Sequence, residues 1–440
     1  FIFESVEKRR IRGRYTIIGS DPDKVWEFNK KKIHIIENNI KKIIKGNPYS
    51  FLKKLIENFN FPIPKNLPPI CSLLVGYFSY DIIRYIERIP NKCVDDLKIP
   101  DIRLMRPKTI IIHDNLLKKI YFIKNTFADE KIVNYQKYYL KQIQSIKFLK
   151  NLAFNSYYKN SHKIKLNKKI FVKSNISKYS FKKMVLEAKK YIKKGDIFQV
   201  VLSQRFETKL TKAPLEIYKK LRINNPSPFM FFFNFSDFQI IGSSPEILVR
   251  LRKDKITIRP IAGTRPRGLN AKKDLFYKKQ LLNDKKELSE HLMLLDLGRN
   301  DVGKVSKINS VKVTEKFRIE KYSHVMHIVS NVEGRFDKKQ TLLDTMLAGF
   351  PAGTVTGAPK IRAMEIIDKL EKSKRKMYAG SIGYFSANKN FDTCIALRTA
   401  LIKDNKFYIQ SGAGIVADSI PEKEYLETIN KAKALISSLN

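Results

Sequence analysis

The sequence predicts an α+β protein in which large antiparallel β-sheets pack as a sandwich core with helices outside. Short β-branched or aromatic segments follow one another in the second half, as in FMFFFNF, FQIIGSSPEILVRL and KITIRPIAGT, with Gly, Pro, Asn and Asp between them. Helices do not alternate regularly with these segments, so the pattern of a parallel sheet is absent. A chain of 440 residues with 43% hydrophobic residues can bury such a core.

Composition divides the chain into three regions. Residues 1–127 are predicted to form an N-terminal α+β lobe, because strand-like runs such as GRYTIIGS and LLVGYFSYD accompany a helical stretch around FLKKLIENF. Residues 128–175 are rich in Lys, Asn, Gln and Ser and poor in Gly, which predicts a connector. Residues 176–440 hold the clearest strand and helix signals and are predicted to form the domain that carries the chemistry.

Several elements of the third region can be placed individually. SFKKMVLEAKKYIKKG predicts a helix with Ser180 as its N-cap and Gly195 at its end. DLFYKKQLLNDKKELSEHLMLLDLGRND predicts a second helix. DTCIALRTALIK and KFYIQSGAGIV flank Asp404 and Asn405, which predicts an antiparallel hairpin. A final helix is predicted for PEKEYLETINKAKALISSL.

Composition also excludes several classes of protein. No apolar run approaches the roughly 18 residues that a membrane-spanning helix needs. Cys71, Cys93 and Cys394 are far apart with no CxxC pair, which argues against a disulfide framework and a structural zinc site and indicates a cytoplasmic location. The segment FIFES at Phe1 does not have the pattern of a signal peptide, and the absent initiator Met indicates a trimmed chain.

The charge of the chain raises an alternative from another functional class. Eighty-six Lys and Arg residues against 42 Asp and Glu give a formal charge of +44, which on its own suggests a basic nucleic-acid-binding protein. The lysines are dispersed through almost every segment, however, and no nucleic-acid-binding motif is present. We therefore favour solvated surface lysines over nucleic-acid binding.

Two helical segments each carry a pair of glutamates three residues apart. Glu287 and Glu290 lie in ELSEH, and Glu424 and Glu427 lie in EKEYLET, so each pair projects from one helix face. If the two helices face each other, their carboxylates form an oxygen-only site that suits Mg²⁺. The alternative is two solvated acidic helix faces.

Glycine-rich segments predict a site for an anionic small molecule. Gly412 and Gly414 in SGAGIV leave backbone N–H groups open to an anion. In LAGFPAGTVTGAPK a tight loop precedes a helix that begins near Pro359 and presents its positive N-terminus. Each could also be an ordinary glycine turn, and the loop lacks the GKS or GKT ending of an ATP-binding P-loop.

Three further side chains could take part in chemistry. His327 lies in the strand YSHVMHIVSNVEG, where a buried neutral imidazole could act as a general base, although most such histidines are ordinary core residues. Arg398 in CIALRTA and Tyr378 in MYAGSIGY could bind a carboxylate through a guanidinium fork and a hydroxyl group.

The longer motifs together resemble the chorismate-utilising enzymes over nearly the whole chain. The resemblance rests on PIAGTRPRG, ELSEHLMLLDLGRNDVGKV, YSHVMHIVSNVEG, FPAGTVTGAPKIRAMEII, YAGSIGY, DTCIALRTA and SGAGIVADSIPEKEYLET. It implies a fold of large antiparallel sheets and Mg²⁺ held by Glu287, Glu290, Glu424 and Glu427. It also implies His327 as base, Thr354 beside the substrate ring, and substrate contacts from Tyr378, Arg398, Gly412, Ala413 and Gly414.

The resemblance also implies a reaction. Family members that use water carry a lysine where this chain has Gln199, and members that form a covalent adduct carry one where it has Ala262. Ammonia is therefore the expected nucleophile, with chorismate converted to anthranilate and pyruvate. The alternative product is aminodeoxychorismate. Because no cysteine lies in a nucleophile elbow, a glutamine amidotransferase partner is expected to supply the ammonia.

Inhibition by tryptophan is a further implication of the resemblance. FIFES matches a family element of the inhibitor pocket, and NPSPFMFFF matches its other wall. The predicted pocket residues are Glu4, Ser5, Pro228, Met230, Phe231 and Cys394. Packing of an N-terminal strand on an aromatic core strand would explain the hydrophobic residues equally well, but it would not explain Glu4.

Overall fold

The computed structural model describes residues 1–5, 13–29, 32–155, 170–322 and 325–439. The α-helices in these ranges are α1 (Pro48–Asn58), α2 (Tyr135–Asn155), α3 (Lys178–Lys193), α4 (Pro214–Asn224), α5 (Ala271–Asn283), α6 (Lys285–Gly303), α7 (Leu342–Ala348), α8 (Gly353–Thr356), α9 (Lys360–Leu370) and α10 (Pro421–Ile436). None of these helices is long and apolar enough to cross a membrane.

The β-strands of the same ranges run from the first residues to the last hairpin. They are β1 (Ile2–Glu4), β2 (Tyr15–Asn29), β3 (Lys32–Glu37), β4 (Ile40–Lys45), β5 (Leu73–Phe78), β6 (Ile102–Asp114), β7 (Lys119–Lys124), β8 (Lys173–Ser174), β9 (Gln199–Lys209), β10 (Phe229–Asn234), β11 (Gln239–Ser244), β12 (Ile247–Arg252), β13 (Lys255–Ile258), β14 (Ile261–Pro266), β15 (Lys312–Lys321), β16 (Val325–Arg335), β17 (Gly357–Ala358), β18 (Ser381–Ser386), β19 (Phe391–Ile395), β20 (Thr399–Lys403) and β21 (Lys406–Ile415).

These strands join into one hydrogen-bonded network in which the pairings between them are antiparallel. The predicted α+β class with large antiparallel sheets is therefore confirmed. Alternating residues of the strands point to opposite faces, so each strand can contribute apolar side chains to the core. One core region stacks aromatic side chains from early and late strands, including Tyr77, Phe231, Phe233 and Phe238, all of which are fully buried.

The N-terminal strands pair directly with strands of the second half. β1 pairs with β2 and also with β10, and β5 pairs with β18. The division into 1–127, 128–175 and 176–440 remains a prediction. Within the predicted connector, α2 has no buried residue, and residues 156–169 lie outside the described ranges.

Two predicted helix boundaries differ from the structure, and one hairpin agrees. Ser177, not Ser180, caps α3, because the Ser177 side chain accepts a hydrogen bond from the Ser180 backbone N–H. The second predicted helix is two helices, because Asp284 leaves the helical conformation and its carboxylate caps the start of α6. The Asp404–Asn405 turn joins β20 to β21, as predicted.

Three groups of elements converge on the candidate site. β9 pairs with β21, which brings Gln199 and the glycines of SGAGIV to neighbouring strands. β14 pairs with β16, and α6 packs on both of these strands. α10 packs on β21, so its glutamates lie beside that strand.

Candidate active site

His327 lies on β16, where its ring is fixed by the adjacent β14. Its Nδ1 is 3.0 Å from both the Gly263 carbonyl oxygen and the Thr264 hydroxyl group. Because a carbonyl oxygen can only accept, we assign the imidazole proton to Nδ1, which leaves Nε2 as the acceptor of a neutral ring. Burial lowers the pKa of His327, a shift that the bond to Gly263 opposes. The ring is therefore neutral and suited to accept a proton.

Thr354, on α8, contacts a carboxyl group that the sequence did not suggest. Its hydroxyl donates to Glu246 Oε1 over 3.1 Å. Glu246 is 7% exposed, and burial raises its pKa to about 8, although the bond from Thr354 lowers it. Glu246 is therefore protonated at neutral pH, and a neutral carboxyl group can donate a proton.

Tyr378 meets the glycine-rich strand β21. A Cβ atom on Gly412 would lie 2.6 Å from the Tyr378 hydroxyl oxygen, so this approach requires glycine. A Cβ atom on Gly414 would lie 2.7 Å from Gln199 Nε2. Burial raises the pKa of Tyr378, and Arg375 and a backbone hydrogen bond with Gly412 oppose this shift. Tyr378 therefore keeps its proton at neutral pH.

Arg398 is a largely buried cation next to His327. No ion pair with a carboxylate is formed by this guanidinium within the described ranges. Burial lowers the pKa of Arg398, and Arg398 in turn contributes to the lowered pKa of His327. A buried cation without a carboxylate partner is costly, which favours a ligand that brings its own negative charge.

The four predicted metal ligands, which we call the carboxylate cluster (Glu287, Glu290, Glu424 and Glu427), come from α6 and α10 as predicted. Burial raises the pKa of Glu290, with further increases from the Glu287 and Glu427 carboxylates. Burial and the Glu427 carboxylate likewise raise the pKa of Glu424. The two helices therefore direct carboxylates towards a common space, where the like charges repel one another.

The side chains of the carboxylate cluster are not close enough together to form a complete metal site. Among the residues that the structure describes, no three His, Cys, Asp or Glu side chains converge closely enough to hold an ion. Glu287 pairs with Arg265 at 3.0 Å, and Glu427 pairs with Lys431 at 2.7 Å. Glu290 accepts a hydrogen bond from Gln199 Nε2 over 2.9 Å. The donor atoms are nevertheless all oxygens, as Mg²⁺ prefers.

Arg375 joins several segments of the site from within the core. Its guanidinium donates to Glu371 and, over 2.7 and 2.6 Å, to the Val355 and Val201 carbonyl oxygens. It also lies 5.4 Å from the centre of the Tyr378 ring. Val355 follows Thr354, and Val201 lies on β9, so one buried cation links the loop, the strand and the tyrosine.

The predicted tryptophan residues divide into two groups. Glu4, Ser5 and Pro228 line the N-terminal cavity, a space of about 1200 Å³. Met230, Phe231 and Cys394 are instead buried in the core. Glu4 accepts a hydrogen bond from the Tyr218 hydroxyl at 2.6 Å and pairs with Arg222 at 2.7 Å. The structure thus gives Glu4 a packing role that the sequence did not suggest.

Sequence reasoning missed Glu246, Arg375, Arg265 and Lys431. Glu246 had a usable signal, because a single acid between SSP and ILV in a strand segment is an unusual place for a carboxylate. Lys431 also had one, because it follows Glu427 by four residues in a predicted helix. Arg265 and Arg375 had none, since they are two among 86 Lys and Arg residues.

Comparison with known proteins identifies relatives over almost the whole chain. The family described as chorismate binding enzyme matches residues 1–437. Anthranilate synthase component 1 of Cereibacter sphaeroides is 47% identical over 442 residues, which cover 99% of this chain and 88% of that protein. The protein of the same name from Acetivibrio thermocellus is 45% identical, with coverage of 100% and 90%. The crystal structure of anthranilate synthase component I from Streptococcus pneumoniae has a TM-score of 0.85 at 36% identity, covering 98% of this chain and 94% of that one.

Proposed function

The chain belongs to the chorismate-binding enzymes, and from this premise we propose that it converts chorismate and ammonia to anthranilate, pyruvate and water. Its relatives at 47 and 45% identity carry the name anthranilate synthase component 1, and the similarity extends over almost the whole chain.

The proposal that ammonia is the nucleophile rests mainly on the side chain at position 199. Gln199 is 4% exposed, and its Nε2 donates to Glu290. An amide cannot act as a base towards water, as an amine could. Ala262, on β14, likewise has no group that could attack the substrate. Ammonia is thus the nucleophile that the site favours.

The substrate carboxylates require fixed positive or hydrogen-bonding partners. Arg398 would bind the enolpyruvyl carboxylate through its guanidinium fork, with the Tyr378 hydroxyl as a second donor. Gly412, Ala413 and Gly414 would border the ring carboxylate with their backbone N–H groups. This arrangement would hold the dicarboxylate in one orientation.

Amination is the first half of the proposed reaction. Ammonia forms a bond to C2 of the ring, both ring double bonds shift, and the bond between C4 and its hydroxyl group breaks. The new ammonium group at C2 then loses one proton, which restores the acid that protonates the leaving hydroxyl group. Glu246 would donate its proton so that the group leaves as water, with Thr354 positioning the carboxyl group. The protonated state that burial gives Glu246 at neutral pH supports this role.

Elimination is the second half. His327 Nε2 would accept the proton from C2, the bond between C3 and the enolpyruvyl oxygen breaks, and the ring becomes aromatic. Enolpyruvate leaves and takes up a proton to give pyruvate. The neutral imidazole, with its Nδ1 proton held by Gly263, supports this role.

Mg²⁺ is the proposed cofactor, held by the carboxylate cluster. When bound, it would neutralise negative charge that develops on the ring carboxylate as the bonds rearrange. The oxygen-only donors and the raised pKa values of Glu290 and Glu424 support the assignment, because a cation would relieve the repulsion between these carboxylates.

A glutamine amidotransferase is the proposed source of ammonia. Cys71 and Cys394 are buried, and burial raises the pKa of Cys93 to about 12. None of the three therefore provides the thiolate that glutamine hydrolysis by a cysteine nucleophile needs. Tryptophan is the proposed inhibitor, bound in the N-terminal cavity beside Ser5 and Pro228.

The direct test uses the fluorescence of anthranilate. The purified chain is given chorismate, Mg²⁺ and ammonium near pH 8, where some free ammonia is present and part of Glu246 keeps its proton, and each component is then omitted in turn. Fluorescence that needs all three, with equal release of pyruvate, is expected. Aminodeoxychorismate without pyruvate, detected by chromatography, would replace the proposal with the alternative amination. Turnover that persists after exhaustive chelation would exclude Mg²⁺.

A further inference from the structure

Two basic side chains that the proposed reaction does not use contact the carboxylate cluster. Arg265 Nη1 lies 3.0 Å from Glu287 Oε1, and Lys431 Nζ lies 2.7 Å from Glu427 Oε1. Each helix therefore has one of its two glutamates neutralised by a cation from the protein. Glu290 and Glu424, the other two, have pKa values raised by burial and by neighbouring carboxylates.

Each basic side chain has a second contact that keeps it at the cluster. Lys431 Nζ also donates to the Gly412 carbonyl oxygen over 2.9 Å, so it connects α10 to the glycine-rich strand. Arg265 Nη2 lies 2.7 Å from Asp284, the residue that caps α6. Both cations can therefore leave the glutamate while keeping another partner.

A divalent cation and these two side chains compete for the same oxygens. A cation bound to Glu427 would lie a few ångströms from the Lys431 ammonium, and like charges at that distance oppose each other. The absence of a closed group of ligands in the described ranges agrees with this, because the oxygens are oriented towards nitrogen donors.

We propose that Lys431 and Arg265 occupy the cation positions of the carboxylate cluster in the metal-free enzyme, and that a divalent cation must displace them to bind. The inference rests on the proposed metal site and gives it a regulator within the chain. The two basic side chains weaken metal binding and reduce the repulsion between the carboxylates when no metal is present.

The test measures Mg²⁺ binding to the intact chain without turnover. Lys431→Gln removes the ammonium but keeps a polar side chain of similar length. Since a half-exposed pair four residues apart on a helix contributes about 0.3–0.5 kcal/mol, we expect Lys431→Gln to tighten Mg²⁺ binding by about twofold in isothermal titration calorimetry. Mn²⁺, followed by electron paramagnetic resonance, gives an independent readout.

Lys433→Gln is the matched control. Lys433 lies on the same helix and carries the same charge, but its Nζ donates to Asn430 and not to a glutamate. It reports the general effect of removing one positive charge. Equal Mg²⁺ affinity in Lys431→Gln and Lys433→Gln, or weaker binding in Lys431→Gln, would overturn the inference.

Arg265→Gln, compared with the exposed Arg299→Gln on α6, tests the second position. It should also tighten binding, provided its thermal unfolding matches that of the wild type. If no variant and no wild-type protein binds Mg²⁺ or Mn²⁺, with or without chorismate, the metal site itself is wrong. If the wild type binds the metal and Lys431→Gln binds it equally well, the metal site stands but the proposed displacement of Lys431 is wrong.

Discussion

The candidate active site and the N-terminal cavity differ in how their buried charges are satisfied. Glu4, on the cavity wall, is bound by both the Tyr218 hydroxyl and the Arg222 guanidinium. In the active site, Arg398 has no carboxylate partner within the described ranges, and Glu246 has only the hydroxyl of Thr354. Glu4 therefore has its partners in the protein, whereas Arg398 has no carboxylate partner in the described part of the chain and Glu246 is held in its neutral form.

This difference has a physical meaning. A buried charge whose partners all belong to the protein has no need of a ligand. A buried charge that lacks partners costs stability, and a ligand with complementary charge recovers that cost on binding. The active site therefore has the properties of a binding site before any substrate is present, whereas Glu4 by itself does not mark one.

Replacing His327 should produce the largest effect. His327→Ala removes the base that accepts the C2 proton, so kcat should fall by about 10²- to 10⁴-fold, and the aminated intermediate should accumulate. Steady-state fluorescence and chromatography measure the two effects. His113→Ala, at an exposed position, is the control. Undiminished anthranilate formation would remove His327 from the mechanism.

Replacing Glu246 should lower kcat by roughly 10²-fold, the lower end of the range for acid–base groups. In the wild type, kcat at a fixed concentration of free ammonia should decline as the pH rises through about 8, because Glu246 loses its proton there. Glu246→Gln cannot titrate, so this limb of the pH profile should disappear. A wild-type profile that is flat through this range would contradict the acid role.

The titration of Glu246 should also affect the stability of the fold. The pKa of Glu246 is higher in the folded protein than its ordinary value of 4.5, so the folded state binds more protons between that value and about pH 8. The free energy of unfolding should therefore decrease as the pH rises across this interval. Glu246→Gln should reduce this slope in denaturant titrations.

Replacing Arg398 should affect binding more than chemistry. Arg398→Met removes charge-assisted hydrogen bonds of about 1.5–3 kcal/mol, so the KM for chorismate should rise by roughly 10- to 100-fold. The protein itself should be no less stable, since an unpaired buried cation has been removed. A loss of stability with unchanged KM would mean that Arg398, like Glu4, has its partners within the protein and does not bind the substrate.

Replacing Arg375 tests whether a buried cation whose hydrogen bonds are all made within the protein also affects substrate binding. Arg375→Lys keeps the charge but cannot make all the bonds to Glu371, Val355 and Val201 at once. We expect a rise of several-fold in KM, with a smaller change in kcat, because Tyr378 and the Thr354 loop lose their common support. Reduced thermal stability with unchanged KM would limit Arg375 to folding.

Changes at the N-terminal cavity should have the smallest effect on basal activity. Ser5→Phe should place a ring in the part of the cavity that Ser5 lines and abolish inhibition by tryptophan, while kcat and KM stay at wild-type values. Inhibition curves with and without tryptophan measure this. Inhibition that persists at the wild-type concentration would place the inhibitor elsewhere.

Local sequence patterns predicted some parts of the site and not others. The pairs Glu287–Glu290 and Glu424–Glu427 could be found because helical spacing alone puts each pair on one face. The sequence around Glu246 marks an unusual place for a carboxylate, but its raised pKa could not be predicted, because that depends on burial by the rest of the fold. The break at Asp284 was also missed, although Asp284 followed by Glu287 is a pattern of helix starts, because helix-forming residues continue on both sides of it.

By itself, the sequence determined the antiparallel α+β class, the hairpin at Asp404–Asn405, the absence of a membrane-spanning helix and the motifs that identify the family. These follow from residue patterns within short windows. Tertiary structure alone decided that Glu4 accepts a hydrogen bond from Tyr218 and pairs with Arg222, and that Arg375 links Tyr378 to two other segments. It also decided that Lys431, which helical spacing already places beside Glu427, reaches the Gly412 carbonyl oxygen. These groups are far apart in the sequence, and their electrostatic interaction becomes strong only when folding brings them within a few ångströms of each other.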